Sequence, residues 1–362
     1  MSEFQIKQQR IQNLLDQHHL DAILLQRVSS FAWATCGAAS YVNTAVTFGA
    51  SSLLVTRDAR YLIANNIEAT RLGQETALKD QGWDFRMTPW HAPNAIAELT
   101  REMKLGADWG FPNAVDLNTE MARLRANLTF EEGERLRALG KNCADAINAA
   151  IRAVQPGMSE YQIAAILGHQ AQARGAQPIV NLIATDERIF KFRHPLPTAK
   201  KLERYAMLVL SARQSGLICS ITRLVHFGKL PAELRRKEDA CAHIDAALIA
   251  ATRPGTTLGE ILQAGMDAYA ANGFANEWHL HHQGGATGYE PREYLATPDS
   301  KDVVILGQGY AWNPSIAGVK SEDTILVSEN GNIILTEIPG WLTQTISVEN
   351  QSITRPSILE IA

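Results

Sequence analysis

The first third of the chain alternates between two hydrophobic periods. Apolar residues recur at helical spacing over "IKQQRIQNLLDQHHL" (6–20), which predicts an amphipathic helix. "DAILLQ" (21–26) follows as a short buried strand. "AVTFGASSLLVTRDARYLIAN" (45–65) reads as two or three strands broken at Gly49 and at an Arg57-Asp58 turn. A helix over 65–78, a strand over 83–90 and a helix over 94–105 complete the alternation, which predicts an α/β domain over residues 1–127.

The pattern then changes to long helices. Thr129, with Glu132 three residues on, reads as the capping box of a helix running to about Gln155, where Pro156-Gly157 stops it. Ser159 is the expected cap of the next helix. "AAIRAVQPGMSEYQI" (149–163) recurs as "ALIAATRPGTTLGEI" (247–261). Ile151, Pro156-Gly157, Ile163 and Gly175 match Ile249, Pro254-Gly255, Ile261 and Gly273 at one offset of 98 residues. Four in-phase matches predict a duplicated unit over 128–362, its halves related by a pseudo-twofold with one cleft between two small sheets.

Composition narrows the function classes. A net charge of −4 without a basic block leaves nucleic acid no electrostatic footprint. The longest apolar runs, such as "AMLVLSA" (206–212), are too short to span a bilayer. The polar start "MSEFQIKQQR" lacks the apolar core of a secretion signal, so a cytoplasmic protein is expected. Cys36, Cys143, Cys219 and Cys241 have no CxxC spacing and read as reduced packing residues.

Candidate chemistry concentrates in "WHLHHQGGATGYEPRE" (278–293), where three histidines and two glutamates share sixteen residues. Together with the duplicated half, the Pro-Gly turns, "GLICSITR" (216–223) and "KSEDTILVSENG" (320–331), it resembles the pita-bread family of methionine aminopeptidase, prolidase, aminopeptidase P and creatinase. The likeness covers essentially the whole chain, and residues 1–127 resemble the N-terminal domain of creatinase-type members. It implies an α/β (α+β) protein: a creatinase-like domain followed by a pita-bread catalytic domain. It also implies a homodimer, in which Tyr41 of "AASYVNTAVTF" (38–48) stands near the neighbour's site.

The metallopeptidases of that family hold two metal ions with two aspartates, a histidine and two glutamates. Carried over by motif, those positions are Val209, Ser220, His282, Asn313 and Glu322. Three of the five have lost an anionic ligand, and paired divalent ions need several anionic oxygens. The resemblance therefore implies a centre with no metal and no cofactor. A relocated metal on His279, His281 and His282 is the alternative; in a strand these side chains would alternate and not converge.

What remains suits metal-independent catalysis on a small molecule. His194 in "FRHPLPT" (192–198) matches the acid/base histidine of creatinase, and a structural loop role is its alternative. His194, His282 and Glu322 are the expected catalytic set. Glu322, without metal, would face a cationic or donor-rich substrate, or hold an imidazolium. Tyr289, seven residues after His282, is a candidate donor to a carbonyl oxygen. Glu290 or Glu293 would line the pocket. Arg292, Arg223, Asn313 and Ser220 complete the substrate-binding candidates. Thr222 stands where creatinase has a glutamate, which speaks against creatine. The leading expectation is hydrolysis of a C–N bond in a small polar compound. A peptidase of Xaa-Pro type with an atypical metal site and a non-catalytic scaffold are the alternatives.

Overall fold

In a computed structural model, residues 1–348 and 351–362 are described. They divide into two compact units, Met1–Glu131 with Ser215–Leu217, and Glu132–Gln214 with Ile218–Ala362.

The first unit is built on a six-stranded mixed sheet. Its order is Asp84–Thr88, Arg60–Asn65, Phe48–Thr56, Ala22–Arg27, Leu105–Ala107, Val115–Asp116. Leu24, Leu54, Ile63 and Leu105 are buried from that sheet against Ile96. The turn expected at Arg57-Asp58 joins two antiparallel strands, with Val55 opposite Arg60. Gly49 does not break a strand; it lies inside one. A Cβ there would stand 2.1 Å from Ser40 Oγ, so the glycine serves a close approach. The helix expected over 94–105 shrinks to one turn, Ile96–Leu99. A helix with no counterpart in the sequence reading covers Val28–Ala34, and all seven of its residues are buried.

The second unit carries the duplication in its backbone. Helices Phe130–Ala153 and Glu160–Gln172 repeat as Ala232–Ala251 and Leu258–Ala271. Ser159 and Thr257 each close a capping box, with Gln162 and Glu260 at the third helical position. Gly157 and Gly255 take φ of 89° and 93°, a region that favours glycine. Their amides donate to equivalent carbonyls, Leu202 at 2.8 Å and Val304 at 2.9 Å.

Two sheets complete this unit. One has four strands in the order Leu359–Ile361, Leu217–Phe227, Tyr205–Gln214, Gln177–Thr185; the other has five, with Gly284–Thr287, Gly309–Trp312 and Asp323–Ser328 at its centre. They are stitched where Thr222 N donates to Glu322 O at 3.1 Å and Ser220 N donates to Thr324 Oγ1 at 2.9 Å. Beside this seam lies a buried ion network. Arg223 Nη2 donates to Asp323 Oδ1 at 2.8 Å, and Arg355 Nη2 bridges Asp323 and Asp245 at 2.5 and 2.6 Å. Charges so buried stay folded only when paired this closely, so the network fixes the strand that begins at Asp323. No helix among the described residues is long and apolar enough to cross a membrane.

Candidate functional site

A cleft of about 320 Å³ opens in the second unit. Part of its lining is apolar, from Val180, Leu182, Val209 and Pro291. The rest carries His194, His282, Arg292, Asn313, Lys320 and Glu322. A larger cleft, about 430 Å³, is lined by Arg223, Asp323, Trp341 and Arg355, but its buried charges are already paired with one another.

Glu322 is 3% exposed and fully engaged. Oε2 accepts from Thr222 Oγ1 at 2.6 Å and from Lys320 Nζ at 2.8 Å; Oε1 accepts from Arg292 Nη2 at 3.2 Å. Burial alone would raise its pKa, yet the Lys320 and Arg292 charges and the hydrogen bonds hold it down to about 2. This corrects the expectation that Glu322 waits for a cationic substrate: the chain supplies the cations itself. Lys320 was not singled out, although a period of two puts it on the same side of the chain as Glu322.

The imidazoles converge in an unforeseen way. His194 Nε2 lies 3.0 Å from His281 Nε2, the rings of His281 and His282 stack with centroids 4.4 Å apart, and those of His194 and His282 are 5.8 Å apart. The alternation argument against His281 and His282 meeting fails because the ladder begins only at Gly284, after a 3-10 turn over Glu277–Leu280. Gln283 pins this corner, accepting from Tyr269 OH at 2.8 Å and donating to Trp278 O at 3.1 Å. His279 is exposed and packs on Trp278, outside the cluster. Burial, then Lys320 and the two neighbouring rings, lower His281 to about 2; burial, then Arg292, His194 and Lys320, lower His282 to about 4. Both are uncharged at neutral pH. His194 stands exposed at the mouth; desolvation and Lys320 lower it from 6.5.

Other candidates fall elsewhere. Tyr289 is 2% exposed and donates its hydroxyl to Glu132 Oε1 at 2.7 Å, so it is not aimed at a substrate. Neither Glu290 nor Glu293 lines the cleft; Glu293 Oε1 accepts from the amides of Tyr289 and Glu290 at 2.8 and 3.1 Å. Arg223 is committed to Asp323. Ser220 is buried, 2.8 Å from the hydroxyl of Ser211, which does reach the cleft. Asn313 does face it, with a buried Oδ1 that has no protein partner. Tyr41 lies in a loop of the first unit, half-buried.

Two ions held by carboxylates do not fit these residues. Val209 offers no donor atom, Ser220 is bonded to Ser211, Asn313 is neutral, and Glu322 is neutralised by an ammonium and a guanidinium.

Comparison with known proteins follows the same lines. Residues 134–329 match metallopeptidase family M24. The Xaa-Pro dipeptidase of Pyrococcus horikoshii is 22% identical over 350 residues, 91% of this chain and 97% of that protein. An uncharacterised peptidase of Staphylococcus saprophyticus is 23% identical over 267 residues, 70% of this chain and 75% of its own length. Among solved structures, an Xaa-Pro dipeptidase from Bacillus anthracis superposes with a TM-score of 0.79 at 18% identity, covering 99% of this chain and 100% of its own. These structural likenesses agree with the mixed α/β, pita-bread architecture.

Proposed function

The chain belongs to metallopeptidase family M24, and from that premise we propose that it hydrolyses a C–N bond in a small carboxylate-bearing compound without the paired ions of a carboxylate cradle. The observation that carries this reading is the contact of His194 and His281 beside the polar wall of the cleft, Lys320–Glu322–Arg292. With the imidazoles uncharged, Lys320 and Arg292 against Glu322 leave that wall one positive charge in excess. The wall therefore favours an anion over the cationic or guanidinium compound first expected. Arg292 and Lys320 hold the substrate carboxylate, and Val180, Leu182 and Val209 take its apolar part.

Water attacks the carbon of the C–N bond. His194 takes the water's proton and returns it to the departing nitrogen, so the bond breaks to an acid and an amine with no net gain of protons by the enzyme. His281, in hydrogen-bond contact with His194, fixes which ring nitrogen carries the hydrogen. An Xaa-Pro dipeptide is one such carboxylate, and the relatives' names favour that second reading; it would need a metal of its own.

The test is amine release from a panel of N-acyl amino acids and dipeptides, Xaa-Pro included, by chelator-dialysed protein. Turnover is expected to persist after dialysis and to fall by about 10²–10⁴ in His194→Asn. Release only after metal is restored points to the second reading. No release from any compound, with His194→Asn folded like the wild type, leaves the fold as a non-catalytic scaffold.

A further inference from the structure

Three imidazoles in one corner are more than a proton shuttle requires. Each of His194, His281 and His282 offers one ligating nitrogen, and the three atoms lie within 4.8 Å of one another. A four-coordinate ion with metal–nitrogen bonds of 2.0–2.1 Å sets its ligand atoms about 3.3 Å apart. His194 Nε2 and His281 Nε2, at 3.0 Å, are already at that spacing. The nitrogen of the third ring lies within 4.8 Å of both. Nδ1 of His282 is buried without a protein partner, so that ring is unsatisfied as the chain stands.

We propose that His194, His281 and His282 form a site for a single divalent ion of the zinc or cobalt(II) kind, with water completing the coordination, separate from the carboxylate positions at Val209, Ser220, Asn313 and Glu322. The ligand set decides the metal. Three nitrogens and no carboxylate suit a borderline-soft ion and exclude magnesium and calcium, which require oxygen. Two features weaken the site. Lys320 and Arg292 line the same cleft, and only Glu322 offsets them. His281 Nδ1 also lacks the outer hydrogen bond that usually supports a ligating imidazole, whose loss costs about 10–100-fold in affinity. Uptake is therefore reversible and removed by chelators. One consequence rests on the reading of His194 as proton carrier: a bound ion commits its lone pair and stops turnover.

The experiment is a titration of the chelator-stripped full-length chain with zinc(II) by calorimetry and with cobalt(II) by visible absorption. One ion per chain and the intense bands of four-coordinate cobalt(II) are expected. Those bands should vanish in His281→Gln and in His282→Gln while both variants melt cooperatively. Asn313→Ala should still take one ion. No uptake by the wild type overturns the site. So does uptake that survives both histidine changes, or two ions lost with Asn313. Because no substrate enters the titration, its failure leaves the hydrolase reading standing, and absent turnover in the metal-free protein leaves the ion site standing.

Discussion

Glu322 shows most directly how one side chain sets the chemistry of this cleft. With Lys320 and Arg292 both bonded to it, Glu322→Gln leaves two cations without a counter-charge in a nearly dry place. The expected cost at neutral pH is about 3 kcal/mol, read by denaturant unfolding. The sign of the pH effect follows from the lowered pKa. The folded value of about 2 lies below the ordinary 4.5, so Glu322 stabilises fully above pH 4.5 and loses that contribution as pH falls towards 2. The gap between wild type and Glu322→Gln should therefore narrow across that window; a constant gap would mean the ion pairs contribute nothing. His194, His282, Arg292, Asn313 and Glu322 could be named from sequence because each sits in a spaced motif. Lys320 was missed because it depends on which face of a short strand meets the cleft, and His281, named only beside His279, was not placed against His194, because a 3-10 turn sets the neighbouring rings side by side.

At the scale of elements, the duplication is the feature the chain announces most clearly. Pro-Gly followed by a capping residue is a local signal, and it needs no tertiary contact to be read. Ser159 and Thr257 perform the same task 98 residues apart, each bonded to the third residue of its helix. Ser159→Ala and Thr257→Ala should each lower stability by about 1 kcal/mol, and the double variant by their sum, because distant caps share no partner. A double variant that departs from the sum by more than about 0.5 kcal/mol would show the two units coupled through these caps. Where signals are not local, the reading misses. Val28–Ala34 is buried on every side, so it has no polar face and no period to detect. Residues 94–105 have the right spacing, yet only one turn forms, and Leu105 leaves the pattern to become a strand residue.

For the whole molecule, we propose the homodimer that the resemblance implies, with residues 38–48 at the contact. Val42 is 68% exposed and Phe48 42%, so apolar surface is available on that segment. Light scattering at micromolar concentration should give twice the 39.8 kDa chain mass. A Val42→Glu, Phe48→Glu variant should return the single-chain mass; a wild-type monomer counts against the contact.

The tethered ammonium of Lys320 also makes the centre hard to reverse. Val209→Asp alone would add a second carboxylate to a cleft whose two cations exceed its one anion, so the protein's own cations, and not a metal pair, would balance the new charge. Replacing Lys320 alone would leave Glu322 with Arg292 and Thr222 but nothing to gain. Ser220 and Asn313 would have to change as well before two ions were held. A path back to a carboxylate cradle thus gains nothing at its first step. The site works as a ratchet: four coordinated substitutions separate it from a pair of ions held by carboxylates, and none is favourable by itself.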